Sequence, residues 1–289
     1  EPMVLLYNRT LFSKHGIVNP PQDWEEVSSI VPQLTILGSD GKFIESGIAM
    51  GAPNTPYSKD ILMTMVAQLG QTPTTKQGNS MGEDQVIFTG NRPMTQDGDV
   101  QPLVSASRFF VQFADPTQKT YTWNQYAGEA SDVFVAEKLA MYIGYSGELA
   151  TLRARNPRGE FEMATFPQTK NYNTFATGMR MHGIAALKTS LTLGVALTVV
   201  GQFAGGAISP SIAAVTGGIP AFRAYATSPT LNAVLSRSML VTRGWYDSFF
   251  IQSDQYVFTM ITDILNNRQG VNDAVNSFVF RMQDLYTPY

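Results

Sequence analysis

One short stretch of the sequence comes close to a catalytic motif. In Gly144-Tyr145-Ser146-Gly147-Glu148, the serine sits as in the Gly-x-Ser-x-Gly elbow that exposes the nucleophile of many serine hydrolases. The elbow requires a glycine where this chain has Glu148. No Asp lies between Ser146 and the one histidine that follows it, His182, so the usual Ser, Asp, His order is missing. A serine hydrolase using Ser146 is therefore kept only as an alternative.

Metal and phosphate chemistry lack the residue spacing that they require. His15 and His182 belong to no His-x-x-x-His or His-Glu-x-x-His frame that would bring two ring nitrogens to one metal. Asp97-Gly98-Asp99 offers two carboxylates without the twelve-residue calcium loop, so a solvated turn is the simpler interpretation. No Walker sequence is present. We expect no metal and no cofactor.

The composition favours a globular binding protein. A chain of 289 residues with 44% hydrophobic residues can fill a sizeable core. The net charge of -3, with scattered Lys and Arg, leaves no basic surface for nucleic acid or acidic lipid. Cysteine is absent, which excludes disulfides and thiolate chemistry. With 12 Tyr, 17 Phe and 3 Trp and no catalytic constellation, recognition by aromatic rings and amides is favoured over catalysis.

Strand and helix patterns alternate along the chain and then give way to helices. Apolar runs predict strands at residues 1–8, 43–50, 139–142, 161–166 and 175–187. Apolar residues at helical spacing predict helices at 23–34, 61–69, 103–113 and 130–138, and two more around 257–265 and 271–285. Asp23 is expected to cap the first of these helices. The alternation predicts an α/β fold with parallel crossovers.

Residues 189–222 carry no charge, so this segment must be considered as a possible membrane-spanning helix. Thr, Ser, Gln, several Gly and Pro210 interrupt the segment, so no run of about 18 apolar residues exists, as a bilayer-spanning helix would need. Leu191, Val195, Val199 and Phe203 recur at helical spacing. We predict a buried helix followed by a loop.

The most specific signal lies near the start of the chain. Leu5-Leu6-Tyr7-Asn8-Arg9-Thr10-Leu11-Phe12 is followed by Lys14-His15-Gly16-Ile17 and by Pro20-Pro21-Gln22-Asp23-Trp24-Glu25-Glu26-Val27. This order closely resembles the aliphatic-Tyr-Asn strand, Leu-Phe-x-Lys-x-Gly-Ile turn and Pro-Pro-x-Thr-Trp-x-Glu helix start of family 1 extracellular solute-binding proteins, which include maltose-binding protein.

Three further segments resemble the family in the same order. Phe134-Val135-Ala136-Glu137-Lys138-Leu139-Ala140-Met141 is similar to Phe-x-x-Gly-Lys-x-Ala-Met, residues 177–186 to a Gly-rich return strand, and residues 267–274 to the start of the last helix. Two positions depart from the family pattern. Glu137 replaces a glycine, and Gly147-Glu148 stands where the family often places an indole.

The resemblance implies an α/β fold of the periplasmic-binding-protein type II class, a two-lobe clam-shell. Because the family has a first-lobe segment before the aliphatic-Tyr-Asn strand, we expect this chain to be N-terminally incomplete. Residues 1–174 would form the second lobe, starting with a hinge strand at 1–8. Residues 175–228 would form the hinge return strand and a remnant of the first lobe, and residues 229–289 C-terminal helices that pack on the second lobe.

The implied function is that of the substrate-binding component of an ABC import system. Such a protein is not an enzyme: it captures a solute, here expected to be a sugar or oligosaccharide, and delivers it to permease subunits. The implied location is periplasmic or extracellular, with membrane association only through a lipid anchor outside this chain. The alternatives are the hydrolase and a structural or adhesion protein built on a receptor lobe.

In this family the ligand lies between the lobes, in contact with loops that follow the strands. These loops supply seven candidate ligand-binding residues: Asn54, Tyr57, Tyr145, Glu148, Trp245, Tyr246 and Asp254. For Asn54 and Tyr57 an ordinary cap and turn is the alternative, and for Trp245 a place in the core. Trp24 is assigned to packing beside its helix cap, and Trp123 to packing at the surface.

Overall fold

The structure is a computed structural model that describes residues 1–78, 84–92, 101–170, 174–216, 218–220 and 232–286. Its centre is a five-stranded sheet in the order β2-β3-β6-β1-β7. The strands are β1 (Met3–Asn8), β2 (Ile36–Leu37), β3 (Phe43–Ile48), β6 (Leu139–Tyr145) and β7 (Phe161–Thr165). A separate antiparallel hairpin joins β4 (Thr74–Gly78) to β5 (Asp84–Phe88).

The first strand lies inside the sheet and is covered on both faces. All six of its residues are buried. Because successive side chains of a strand point to opposite faces, Met3, Leu5 and Tyr7 join one apolar cluster while Val4 and Leu6 join another. A strand that is apolar at nearly every position is typical of a sheet with helices on both sides.

Six helices follow or flank these strands: α1 (Arg9–Lys14), α2 (Trp24–Ile30), α3 (Ser58–Gln68), α4 (Pro102–Val111), α5 (Ala130–Val135) and α6 (Glu148–Arg155). The predicted cap at Asp23 is confirmed, since its Oδ1 accepts a hydrogen bond from the Glu26 backbone N–H at 2.8 Å. The carboxylate of Glu26 reaches back to the N–H of Gln22. A short 3₁₀ turn, Val31–Gln33, extends α2.

The later part of the chain is helical: α7 (Leu193–Ala204), α8 (Ser209–Thr216), α9 (Ala233–Leu240), α10 (Phe250–Leu265) and α11 (Val271–Tyr286). The last two helices pack on each other, α10 also contacts α3 and α4, and α11 contacts α4 and β5. Their predicted apolar stripes are confirmed, because Val257, Met260, Ile261, Phe278 and Met282 are buried.

The expected parallel crossovers are mostly wrong. Among the described strands only β3 and β6 pair in parallel, while β1 runs antiparallel to both β6 and β7. Apolar periodicity reports which residues are buried, and it carries no information about strand direction.

The predicted strand at 175–187 is also wrong. This segment makes only isolated bridges, between Thr177 and Thr242 and between Met179 and Pro2. Its backbone lies between two short partners: the Met3 N–H donates to the Gly178 carbonyl, and the Arg243 N–H donates to the Thr177 carbonyl. The pairing is therefore too short for a strand, although its apolar alternation resembles one.

The uncharged segment at 189–222 contains the predicted helix, α7, but the predicted burial is wrong. None of the residues of α7 is buried, and most of its large apolar side chains are exposed: Leu193, Val195, Leu197, Val199 and Phe203. Helical spacing identified the helix correctly, whereas burial needs a packing partner, which the described residues do not supply. Within the described ranges, no helix combines the length and the apolar character needed to cross a bilayer.

Two positions of the family pattern have a clear physical basis. Glu137 adopts φ 58, a left-handed conformation that glycine adopts without steric cost, which accounts for the glycine that the family pattern has there. At Gly178, a Cβ atom would lie 2.6 Å from the Met3 Sδ and 2.8 Å from the Thr64 Oγ1. Glycine at 178 therefore lets this segment lie directly against β1 and α3.

Candidate functional site

A cavity of about 1000 Å³ opens between the start of α3, the end of β6 and the two segments at 174–182 and 243–254. Its wall combines aromatic rings with charged groups of both signs. The aromatic and ionisable residues that line it are Lys59, Asp60, Tyr145, Arg180, His182, Arg243, Trp245, Asp247, Phe250 and Asp254. Pockets that hold small ligands have volumes of roughly 300 to 1,000 Å³, so this cavity can accommodate a solute of several rings.

Lys59 joins α3 to the start of α10 and to the segment before it. Its side chain is only 8% exposed, and its Nζ lies 2.8 Å from Asp247 Oδ2 and 2.9 Å from Asp254 Oδ1. It also donates to Ser253 Oγ at 2.9 Å and lies 5.7 Å from the ring centroid of Trp245. A buried ammonium needs partners of this kind. Lys59 thereby fixes the two acidic residues and the indole at one wall of the cavity.

Tyr145 forms the centre of a second cluster that lines the cavity. Its hydroxyl donates to Asp60 Oδ2 at 2.8 Å, its ring packs edge-on against Tyr57 at 4.9 Å, and the Arg180 guanidinium carbon lies 4.1 Å from its centroid. Burial raises the pKa of the Asp60 carboxyl, although the Tyr145 hydrogen bond opposes the rise. Burial and the nearby Asp60 also raise the pKa of Tyr145, which is therefore a neutral donor near pH 7.

Three of the seven predicted site residues, Tyr145, Trp245 and Asp254, line this cavity. Tyr57 lies behind the wall, where its ring supports that of Tyr145. Tyr246 and Trp245 line a smaller adjoining cavity of about 280 Å³.

The other two predicted residues make local contacts outside the cavity. Asn54 Nδ2 donates to the Gln125 carbonyl at 3.4 Å in an exposed loop. Glu148 Oε1 accepts from the Tyr145 backbone N–H at 2.7 Å, and its Oε2 accepts from the Tyr142 hydroxyl at 2.6 Å. Both carboxylate oxygens of Glu148 are thus bonded within the sheet and the first turn of α6.

Sequence reasoning missed the charged residues of the cavity, Lys59, Asp60, Arg180, Arg243 and Asp247. Lys59 and Asp60 stand in the first turn of an otherwise apolar helix, and Lys59 is buried. A charged residue expected to face a core was the available signal. Arg180 and Arg243 had no such signal in the sequence, because their convergence depends on backbone pairing between segments about 60 residues apart.

The tryptophans separate into two groups. Trp24 is buried and its Nε1 donates to Gln68 Oε1 at 2.9 Å, so its assignment to packing is confirmed. The surface assignment of Trp123 is wrong, because this side chain is 0% exposed in the second apolar cluster. Trp245 alone of the three lies at the cavity.

No hydrolytic or metal centre forms in the described residues. Ser146 is buried and its N–H donates to the Pro2 carbonyl. His182 is exposed, with its Nε2 3.9 Å from Glu1 Oε2, and no hydrogen bond joins it to Ser146 in the described part of the chain. Across the same ranges no group of three His, Cys, Asp or Glu residues could hold a metal ion. Asp97-Gly98-Asp99 lies outside the described residues.

The comparisons with known proteins agree with this picture. The bacterial extracellular solute-binding protein family matches residues 1–233, which is most of the chain, and this chain belongs to that family. The family is an extracellular one by its description.

Solved structures share the fold. A solute-binding protein of an ABC transporter from Thermotoga lettingae TMO, bound with alpha-D-tagatose, is 15% identical with a TM-score of 0.66, over 99% of this chain and 70% of that one. The maltose/maltodextrin-binding domain MalE from Bdellovibrio bacteriovorus, bound to maltotriose, is 14% identical with a TM-score of 0.67, over 98% and 70%.

A third similar structure has a different kind of ligand. UgpB from Mycobacterium tuberculosis, in complex with glycerophosphocholine, is 15% identical with a TM-score of 0.65, over 98% of this chain and 68% of that one. At these identities the likeness establishes the fold. The predicted α/β fold of the periplasmic-binding-protein type II class and the predicted solute-binding family are confirmed.

Proposed function

We propose that this chain acts as the substrate-binding component of an ABC import system and holds a sugar or oligosaccharide in the 1000 Å³ cavity. The observation that carries the proposal is the pairing of two aromatic side chains, Trp245 and Tyr145, with the carboxylates of Asp60 and Asp254 around one space. The Trp245 ring can accept the C–H face of a sugar, and carboxylates accept its hydroxyl groups. The face of Tyr145 is covered by Arg180, so Tyr145 contributes only the part of its side chain that lines the cavity.

Among the seven predicted residues, we assign direct contact to Tyr145, Trp245 and Asp254. Asp254 is suited to this role because its side chain is 62% exposed while Lys59 holds one of its oxygens. The other oxygen can accept a hydroxyl. Tyr57 supports the Tyr145 ring, and Tyr246 contacts only the part of a longer ligand that reaches the smaller cavity. Asn54 and Glu148 act through local structure.

The wider context belongs to the same proposal. Binding involves no chemical step, and the bound form presents the solute to the permease. Residues 1–174 serve as the second lobe, and residues 175–228 as the hinge return strand with a remnant of the first lobe. Residues 229–289 serve as the C-terminal helices. The place of action is the periplasm or the cell exterior. Two of the similar structures described above carry a sugar, which supports this choice of solute.

Tryptophan fluorescence tests the proposal directly. Trp24 and Trp123 are buried, so quenching or a spectral shift on titration with a panel of sugars reports mainly on Trp245. We expect a saturable change for at least one sugar. Calorimetry on Trp245→Ala should then give about tenfold weaker binding, equal to roughly 1.4 kcal/mol, because a stacking surface is removed.

Tyr126→Ala is the matched control, since Tyr126 is an exposed aromatic residue outside the cavity lining. It should bind the same sugar with unchanged affinity. A panel in which no sugar binds, or a Trp245→Ala protein that binds as tightly as the parent, would contradict the proposed function.

A further inference from the structure

Two guanidinium groups reach the cavity without a carboxylate partner. Arg180 and Arg243 both line the cavity, and neither forms a salt bridge within the described residues. An arginine offers five N–H donors in a planar fork. The Arg180 fork lies against the Tyr145 and Tyr57 rings, 4.1 Å and 5.4 Å from their centroids. The side chain also hydrogen-bonds that of Tyr57, and the remaining N–H donors at the edge of the fork are available to a ligand.

The backbone holds both arginines at this place. The Arg180 N–H donates to the Glu1 carbonyl at 2.8 Å, and the Arg243 N–H donates to the Thr177 carbonyl at 2.9 Å. The segment that contains Arg180 is thus paired with the start of β1 on one side and with the segment that contains Arg243 on the other. Because both segments are already ordered, ligand binding costs little additional backbone entropy, which favours binding.

The remaining charges of the cavity are largely engaged with one another. Asp247 and Asp254 share the ammonium of Lys59. Asp60 accepts the Tyr145 hydroxyl at 2.8 Å. His182 faces the carboxylate of Glu1 at 3.9 Å. Arg180 hydrogen-bonds the Tyr57 side chain and Arg243 Nη1 donates to the Thr242 carbonyl at 3.4 Å, so the cationic donors available to a ligand are the remaining N–H groups of these two arginines.

We propose that the solute carries an anionic group, a carboxylate or a phosphate, which Arg180 and Arg243 bind at one end of the cavity. This inference rests on the proposed function and narrows the solute to an acidic sugar. Arginine binds both anions through paired N–H donors, and such charge-assisted hydrogen bonds are about twice as strong as neutral ones. The hydroxyl groups of the sugar then face Asp254 and Asp60 on the acidic side.

Matched ligand pairs test the inference by calorimetry on the purified chain. Glucose is compared with glucuronate, galactose with galacturonate, and glucose with glucose 6-phosphate. We expect the acidic member of at least one pair to bind ten times more tightly or better. The uronate arms and the phosphate arm distinguish the two anions. Added salt should weaken the acidic member selectively.

Arg180→Gln and, independently, Arg243→Gln remove the donors. Each should weaken binding of the acidic member at least tenfold more than it weakens binding of the neutral member. Arg281→Gln is the matched control, because Arg281 also lies over a tyrosine ring, that of Tyr256 at 5.6 Å, but outside the cavity lining. Thermal unfolding verifies that each variant is folded.

The possible outcomes separate the two proposals. Neutral sugars that bind as tightly as their acidic counterparts would overturn the anion inference and leave the proposed function in place. Arginine variants that lose affinity equally for the acidic and the neutral sugar of a pair would also overturn the anion inference and leave the proposed function in place. If no member of any pair binds, the proposed function fails and the inference fails with it.

Discussion

The central sheet and helix α7 are both apolar, but the first strand of the sheet is buried whereas α7 is exposed. In β1 every residue is buried between two layers of side chains. In α7, residues of the same types face outward, and Leu197 is 55% exposed. Apolar composition and periodicity therefore predict that a helix or strand forms, whereas its burial depends on which other elements pack against it.

A third kind of region lies between these two. The cavity wall contains buried charge, and the Lys59 cluster links α3 to α10 through ion pairs and hydrogen bonds. Variants in these three regions test the contrast, because each region should lose a different amount of stability on truncation.

The largest loss of stability is expected from Lys59→Met. The change leaves Asp247, which is nearly buried, without its cation, and removing one partner of a buried ion pair typically costs about 3 to 5 kcal/mol. Urea unfolding followed by circular dichroism measures the free energy of unfolding. Lys138→Met, at an exposed lysine, is the control and should lie within about 0.5 kcal/mol of the parent. Equal stability of the two variants would show that the Lys59 cluster contributes nothing to the fold.

The next effect separates the sheet from α7 through two identical substitutions. Leu5→Ala creates a cavity in the core, since Leu5 is 0% exposed, and should cost about 2 to 5 kcal/mol. Leu197→Ala, on α7, should change stability by no more than about 0.5 kcal/mol. The same urea titration compares them. A loss of 2 kcal/mol or more for Leu197→Ala would mean that α7 is packed in solution, and the contrast drawn above would fail.

The smallest effect is a gain at Glu137. A non-glycine residue in the left-handed region costs about 1 to 2 kcal/mol, and the greater chain entropy of glycine offsets about 0.5 to 1 kcal/mol of that. Glu137→Gly should therefore stabilise the protein by about 0.5 to 1 kcal/mol in differential scanning calorimetry. Lys138→Gly, at the next residue and without positive φ, should destabilise it. A loss of stability in both variants would show that Glu137 carries no appreciable backbone strain.

Much of the fold could be predicted because its signals are local. The Asp23 cap, the helix spacing of α10 and α11 and the apolar run of β1 each depend on residues within a few positions of one another. The antiparallel direction of β1 and the short pairing at 177–180 could not be predicted, because both depend on partners more than 50 residues away.

The candidate site was predicted in part for the same reason. Tyr145, Trp245 and Asp254 were found from the loops that the family resemblance implied, and all three line the cavity. Glu148 stood equally well placed in sequence, but its oxygens are bonded to Tyr142 and to the Tyr145 backbone. Both donors lie within six positions of Glu148 in the sequence, but the direction in which the carboxylate turns depends on how β6 and α6 are arranged in space.

The solute-binding family, the order of most elements and the aromatic residues available to a ligand could be identified from the sequence alone. These follow from short-range spacing and from motifs read in order. Only the tertiary structure decided that Lys59 meets Asp247, 188 positions later in the chain, that Arg180 and Arg243 meet at one cavity, and that α7 lies exposed. Each of these depends on the convergence of distant segments, since charge pairing and burial act through space rather than along the chain.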